Sequence, residues 1–238
     1  MIITEKKYAA IVIAAGLSSR MDGFKPLLDI GGRPALFRLL DSILDAGIRN
    51  IIIVTGHRHD LLEEAVVRFK SADNLFIAHN AEYESGMFSS VKTGIRFTMD
   101  LELSLYDGDL RAALLFPVDV PLVSAETVFD LVRFWERFSS PYSEAQSFSD
   151  VDALDRATEP FAIPVHEGRN GHPLLIPRAY FNEILDFSGE GGLKGVRSRH
   201  DAEMIRYEVN DPGCVLDMDT PQEYAELKEY YERRKQKT

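Results

Sequence analysis

YAAIVIAAGLSSRMDGFKPLL, residues 8–28, decides the fold. Its apolar residues are consecutive rather than alternating, so Ala9–Ala14 reads as a strand buried on both faces, the habit of parallel sheets covered by helices. At its C-terminal end Ala14, Ala15 and Gly16 are small enough to let a ligand approach the backbone. Gly16 through Ser19 can turn successive N–H groups toward an anion. Arg20 and Lys25 add two cations to the same loop. The chain has 27 basic and 38 acidic residues, for a net charge of −11, so donors and cations gathered on one turn suit a polyanion such as a triphosphate. The glycines fit neither a Walker A loop nor a GxGxxG turn. On composition alone, an ordinary strand-to-helix turn with two surface cations stays open.

Outward from this loop, four further apolar runs read as strands: Asn50–Val54, Asn74–Ala78, Ala112–Val118 and Pro173–Ile176. Between the first three lie amphipathic stretches of helical period. Leu36–Ala46 ends at Gly47, a C′ glycine, and Asp60–Lys70 carries charges that suit the helix dipole. Ser124 opens a later helix. Thr220-Pro221-Gln222-Glu223 opens the last one, with a capping box and proline at N1. Strands alternating with helices predict a three-layer α/β/α fold on a mostly parallel, Rossmann-like sheet. The expectation is one domain over residues 1–238. Residues 138–159, rich in Ser and Asp without period, read as an insertion or mobile loop, and the closing ERRKQKT as a fraying polar tail.

A chain this acidic is a poor candidate for a non-specific nucleic-acid or anionic-membrane binder. The single cysteine, Cys214, excludes an internal disulfide framework and Cys-rich zinc modules; with no partner constellation around it, it reads as a packed side chain. No apolar run reaches the roughly 18 residues of a spanning helix. Two lysines before Tyr8–Ala15 give a fleeting likeness to a signal peptide, but the run is short and a buried strand fits it better. A cytoplasmic location is expected. His57 and His59 are two apart, not the i, i+4 pair of a zinc helix.

The string Ala14-Ala15-Gly16-Leu17-Ser18-Ser19-Arg20-Met21, followed by Lys25-Pro26-Leu27-Leu28, closely resembles the signature of the nucleotidyltransferases with a MobA-like fold, which implies a nucleotide-diphospho-sugar transferase-like architecture. Further stretches match in order: Gly32-Arg33-Pro34, Val54-Thr55-Gly56-His57, Asn80 to Gly94 with Tyr83, Gly86, Met87, Ser89 and Ser90, Phe116 to Val123 around Asp119, Gly171-His172-Pro173, and Asp217-Met218-Asp219-Thr220-Pro221. Within that superfamily the chain is most similar to the molybdenum cofactor cytidylyltransferases, on Ala15 where guanylyl-transferring relatives carry a second glycine, on Gly171-His172-Pro173, and on Ser188-Gly189-Glu190-Gly191-Gly192-Leu193-Lys194. The resemblance implies transfer of CMP from CTP to the terminal phosphate of molybdopterin with release of pyrophosphate, Mg²⁺ as cofactor, and a recipient molybdoenzyme as a further partner. The N-terminal half would hold the nucleotide and the C-terminal half the acceptor.

Such transfer needs in-line positioning and charge neutralisation. Under the resemblance Arg20 and Lys25 hold the β- and γ-phosphates, and Asp119 joins them as a catalytic residue. Asp119 lies just past a strand's C-terminal end, where open α/β sheets place ligands, and a carboxylate there suits Mg²⁺. Asp217 and Asp219 would share one face of a strand; Asp219 is the second metal candidate, although capping of the last helix is its alternative reading. Ala14, Ala15 and Gly16 line the nucleotide, with Gly86 and Ser90 on a second turn. Ser18 and Ser19 either donate to phosphate or favour the turn, and Ser89 either joins that second turn or caps a helix containing Val91–Thr98. His172 and Lys194 are the acceptor candidates, with Arg169 beside them; a turn-closing histidine and solvated charges are the alternatives. Pro117 and Val120 depart from the family pattern, as do Asp22 and Gly23 between Met21 and Lys25, and these with residues 138–159 leave the acceptor open. A CTP- or UTP-dependent transferase acting on a sugar phosphate or another phosphorylated acceptor is the enzymatic alternative. A non-catalytic protein that hands a cofactor to a partner is the other.

Overall fold

The computed structural model describes residues 7–17, 20–21, 23–69, 74–138, 159–201 and 204–236. Its strands join in one mixed eight-stranded sheet. Strands β1 (Tyr8–Ile13), β2 (Asn50–Thr55), β3 (Leu75–His79) and β4 (Ala112–Pro117) make the parallel part, in the order β3-β2-β1-β4. Beyond β4 come β7 (Leu174–Pro177), β5 (Ala162–His166) and the two-residue β6 (Arg169–Asn170), all antiparallel to their neighbours, while β8 (Ile205–Glu208) runs parallel to β5.

The period-two geometry of β1 explains its unbroken apolar run. Tyr8, Ala10 and Val12 point to one face, among buried side chains of α1 (Ala35–Asp45), α2 (His59–Val67) and α5 (Ala125–Phe138) such as Leu39, Leu62 and Trp135. Ala9, Ile11 and Ile13 point to the other, among α3 (Met87–Asp100), α6 (Phe181–Asp186) and α7 (Gly192–Ser198). Each large apolar side chain so buried contributes roughly 1.5–3 kcal/mol. The short α4 (Glu102–Leu105) follows α3, and α8 (Pro221–Lys235) closes a small cluster with Ile30, Leu122 and Met218. Helices on both faces of the sheet give the expected three layers. No helix among the described residues is long and apolar enough to cross a membrane.

The predicted strands stand within a residue or so of the observed ones, and Gly47 takes a left-handed φ of 96° two residues beyond α1. Three strands escaped the reading. β5 is interrupted by Pro164, β8 alternates polar and apolar residues at the sheet margin, and β6 is too short to carry a pattern. The supposed tail is corrected: α8 continues through Lys235, because its capping box and the basic residues of its last turn suit both ends of the helix. Of the predicted insertion, residues 139–158 lie outside the described residues. Its C-terminal flank is fixed, since Glu159 pairs with Arg111 at 2.5 Å and the carbonyl of Pro160 accepts the Trp135 indole N–H at 2.7 Å.

Candidate active site

The chain lays down β1, β2 and β3 toward one edge and then returns to place β4 on the other side of β1. The C-terminal ends of β1 and β4 therefore flank a topological switch point, where open α/β sheets form their ligand crevice. Ile13 pairs with Pro117, and the Val118 N–H donates to the Ile13 carbonyl at 3.1 Å. Ala14–Gly16 and Val118–Asp119 consequently leave the sheet side by side. They open onto a cleft of about 290 Å³, whose walls also include Leu17, Lys25, Tyr83, Gly86, Met87 and Ser90. A Cβ placed on Gly16 would meet nothing within 4 Å, so this backbone is bare to the cleft. Behind it, the Ala14 N–H donates to Val54 at 2.9 Å and the Ala15 carbonyl accepts from the His57 N–H at 3.2 Å. Gly56 is needed for close approach: a Cβ there would lie 2.5 Å from the Tyr83 Cβ and 2.9 Å from the Ala15 Cβ.

Charge is concentrated at the mouth. The Lys25 ammonium donates to Asp219 Oδ1 at 2.5 Å and stands 3.8 Å from Asp119 Oδ2, while Arg20 Nη2 donates to Asp219 Oδ2 at 2.6 Å. Pro26 is buried in the short turn Lys25–Leu27 and fixes the lysine's position. Asp219 is held from the other end of the chain. Met218 beside it is fully buried, and Thr220 after it is the N-cap of α8, its hydroxyl accepting from the Glu223 N–H at 3.2 Å. Burial pushes the Asp119 carboxyl above its ordinary value; Lys25 pulls it back, and Asp219 and Asp217 add repulsion. The Lys25 hydrogen bond and the field of Arg20 hold Asp219 below the ordinary range. Asp217 is raised by burial and by its neighbours Glu223 and Asp219.

The opposite wall is organised by Asn80, which is buried. Its Nδ2 donates to Ser89 Oγ at 2.8 Å and Ser90 Oγ at 3.0 Å, and its Oδ1 accepts from the Glu82 N–H at 3.0 Å. These bonds hold the turn Glu82–Gly86 against the start of α3, and Gly86, with φ 109°, is the N-cap. Ser89 is therefore corrected as a cap: the helix has already begun at Met87, and the Ser89 hydroxyl donates back to the carbonyls of Gly86 and Glu82 at 2.8 and 3.0 Å.

The geometry thus brings together Ala14, Ala15, Gly16, Lys25, Gly86, Ser90 and Asp119 around one cleft, with Arg20 and Asp219 at its charged edge. Ser18, Ser19 and Asp22 lie outside the described residues. Asp217 and Asp219 belong to an irregular segment rather than to a strand, so their common position does not come from a shared strand face. Lys194 is exposed on α7. Arg169 supports the loop before Asp217, donating to the Val215 carbonyl at 3.2 Å. The His172 backbone N–H donates to the Cys214 carbonyl at 2.8 Å, and its ring Nδ1 is buried with no partner among the described residues. Burial and the charge of Arg197 push the imidazole down to about 4, so it is neutral at pH 7. Burial pushes the Cys214 thiol up to about 12, as expected of a packed side chain rather than a nucleophile. Tyr83 and Met87 were seen in the sequence only as members of a motif, and their place in the cleft wall follows from their packing.

Among the described residues no three His, Cys, Asp or Glu side chains converge as a ready-made metal cage. The pair Asp119 and Asp219 nevertheless suits a hard cation. Both carboxylates already share one ammonium, and Mg²⁺ commonly takes one or two protein carboxylates and completes its shell with water and phosphate oxygens.

Residues 10–204 match the family model described as the MobA-like NTP transferase domain. The molybdenum cofactor cytidylyltransferase of Escherichia coli (strain K12) is 25% identical over 228 residues, 93% of this chain and 95% of that one. Among solved structures, a CMP:2-keto-3-deoxy-manno-octonic acid synthetase complexed with CTP superposes with a TM-score of 0.66 at 16% identity, covering 96% of this chain and 99% of the other. Rv0371c from Mycobacterium tuberculosis H37Rv, in complex with manganese, does so with a TM-score of 0.64 at 18% identity, over 94% and 98% of the two chains.

Proposed function

The chain belongs to the MobA-like NTP transferase domain family, and from that premise we propose that it transfers CMP from CTP to the terminal phosphate of a molybdopterin-type acceptor. An acceptor phosphate oxygen attacks the α-phosphorus of CTP, the bond to the bridging α–β oxygen breaks, and pyrophosphate leaves. The observation that carries the reading is the meeting of Lys25, Arg20, Asp119 and Asp219 beside the bare Ala14–Gly16 backbone. The backbone N–H groups of that turn and the two cations neutralise the triphosphate, and Lys25 is placed to stabilise the departing pyrophosphate. The hydrogen bonds of Asn80 keep the second wall in place for the nucleoside. Asp119 and Asp219 would hold Mg²⁺, which supplies charge neutralisation to the phosphate oxygens when bound. Ligation would also offset the burial, and the lesser repulsion from Asp219 and Asp217, that raise the Asp119 carboxyl.

Similarity to the E. coli cytidylyltransferase over 93% of this chain favours CTP and a molybdopterin acceptor over a sugar phosphate. We propose, too, that residues 1–238 act as one nucleotidyltransferase unit in the cytoplasm and that a molybdoenzyme receives the product. The deciding experiment is pyrophosphate release by the purified chain with Mg²⁺, crossing CTP, UTP, GTP and ATP with molybdopterin and with sugar phosphates. Release is expected fastest for CTP with molybdopterin. Faster release with a sugar phosphate overturns the acceptor. Absence of release with every pair, without nucleotide-linked stabilisation, favours the non-catalytic reading.

A further inference from the structure

The glycine-rich stretch Ser188–Lys194 is wrapped around two phenyl rings. Phe88, on the first turn of α3, stands edge-on to Phe187 with centroids 6.0 Å apart. A Cβ on Gly192 would lie 3.1 Å from the Phe88 Cβ, and a Cβ on Gly189 2.8 Å from the Phe187 ring. Phe88 is flanked by Met87, and two residues further on comes Ser90, both of which line the cleft. One polar side chain ties this packing together. Lys92, also on α3, donates from Nζ to the Leu185 carbonyl at 2.8 Å and the Phe187 carbonyl at 2.7 Å, and its ammonium lies 5.0 Å from the centre of the Phe88 ring. It thereby satisfies carbonyls left over at the end of α6 and fixes the point from which the chain turns into Gly191 and α7.

We propose that Lys92 is a positioning residue that sets the glycine-rich turn and α7, which carries the acceptor candidate Lys194, against the cleft wall carried by α3. This rests on the proposed cytidylyl transfer. Because Lys92 bonds α6 and the turn rather than the cleft, its loss shifts the acceptor's placement and leaves the nucleotide's intact. A purely structural lysine would lower thermal stability and affect both substrates alike.

The test uses the full chain with Lys92→Met, which keeps the aliphatic stem, and Lys92→Arg, which restores a donor. With CTP, Mg²⁺ and molybdopterin, Lys92→Met is expected to raise the acceptor KM about tenfold while the CTP KM stays within about twofold, and Lys92→Arg to recover most of the difference. An unchanged acceptor KM, or equal rises for both substrates, overturns the proposal. Should the wild-type chain fail to turn over molybdopterin, it is the cytidylyl-transfer reading that has failed, and ligand-free hydrogen exchange then decides the role of Lys92. Faster exchange in Lys92→Met confined to residues 187–198 supports it. Unchanged exchange there, or faster exchange spread into β1 and β4, overturns it.

Discussion

Lys25 and Asp219 are 194 positions apart in sequence, yet the ammonium of one donates to the carboxylate of the other at 2.5 Å. The same ammonium stands 3.8 Å from Asp119, so a single cation from the first loop bridges two acids supplied by the turn after β4 and by the approach to α8. Under the proposed function, phosphate and metal would exchange these partners rather than create charge in the cleft.

The Asp119→Asn change removes the carboxylate and keeps the shape. Turnover is expected to fall roughly a thousandfold, the scale of several kcal/mol of transition-state charge stabilisation. Stability should move the other way. Folding disfavours the ionised form of Asp119, so that penalty is fully present above its raised value and absent below the ordinary aspartate value of 3.8. The variant should therefore melt above wild type at pH 7, and the gain should shrink as pH falls toward 3.8. Thermal scans at several pH values with a pyrophosphate-release assay check both; a variant that retains wild-type turnover removes Asp119 from the chemistry.

Ligand-linked stabilisation should be largest for CTP with Mg²⁺. At a hundredfold excess over Kd the folded state gains about 2.7 kcal/mol. CTP without the metal should give less, because no divalent cation then bridges Asp119 and Asp219 to the phosphates and the phosphates compete with these acids for Lys25 and Arg20. Thermal shifts with the four nucleoside triphosphates, with and without Mg²⁺, provide the measurement. An equal shift with EDTA would count against a metal held by these acids.

His172 is expected to make the protein sensitive to mild acid. Its folded value of about 4 lies below the ordinary 6.5, so the neutral ring's contribution is complete above 6.5 and is lost as pH falls through the window down to 4. Between pH 7 and pH 5 the loss should be about 2 kcal/mol. Denaturant unfolding of wild type and His172→Gln at the two pH values isolates it: the variant should show a flatter dependence, and parallel curves would contradict the neutral buried imidazole.

Gly213→Ala should act on the site from behind. A Cβ at Gly213 would lie 2.1 Å from the Leu122 carbonyl oxygen, a backbone atom in the loop that follows Asp119. The loop must move or the turn must open, at a cost of about 1–3 kcal/mol. Chemical denaturation should show the loss, and turnover should fall with it as Asp119 is displaced. Wild-type stability would mean that the two loops separate more easily than their contact indicates.

The parallel half of the fold was legible because β1, β2 and β4 are buried on both faces and so write continuous apolar runs. The capping box at Thr220 and the glycine after α1 were legible because cap chemistry is local. β5 and β8 were not, since Pro164 breaks one and partial exposure mixes the other. The loop cations and Asp119 carried a chemical signal in residue type and position after a strand. Asp219 was singled out by its two-residue spacing to Asp217 and by a resembling motif, but the segment is no strand, and its tie to Lys25 and Arg20 is a tertiary contact between distant parts of the chain. Lys92 gave no signal: its acceptors are two main-chain carbonyls, and main-chain carbonyls have no residue identity to read.

Met218 under α8 and the Thr220 cap fix Asp219 late in the chain, while Arg20 and Lys25 come early. On a ribosome adding about 5–20 residues per second, the early cations wait roughly ten to forty seconds for their acidic partner. A half-made chain therefore carries Arg20 and Lys25 without the acid they pair with, and under the proposed function competence for transfer would arrive only with the closing helix.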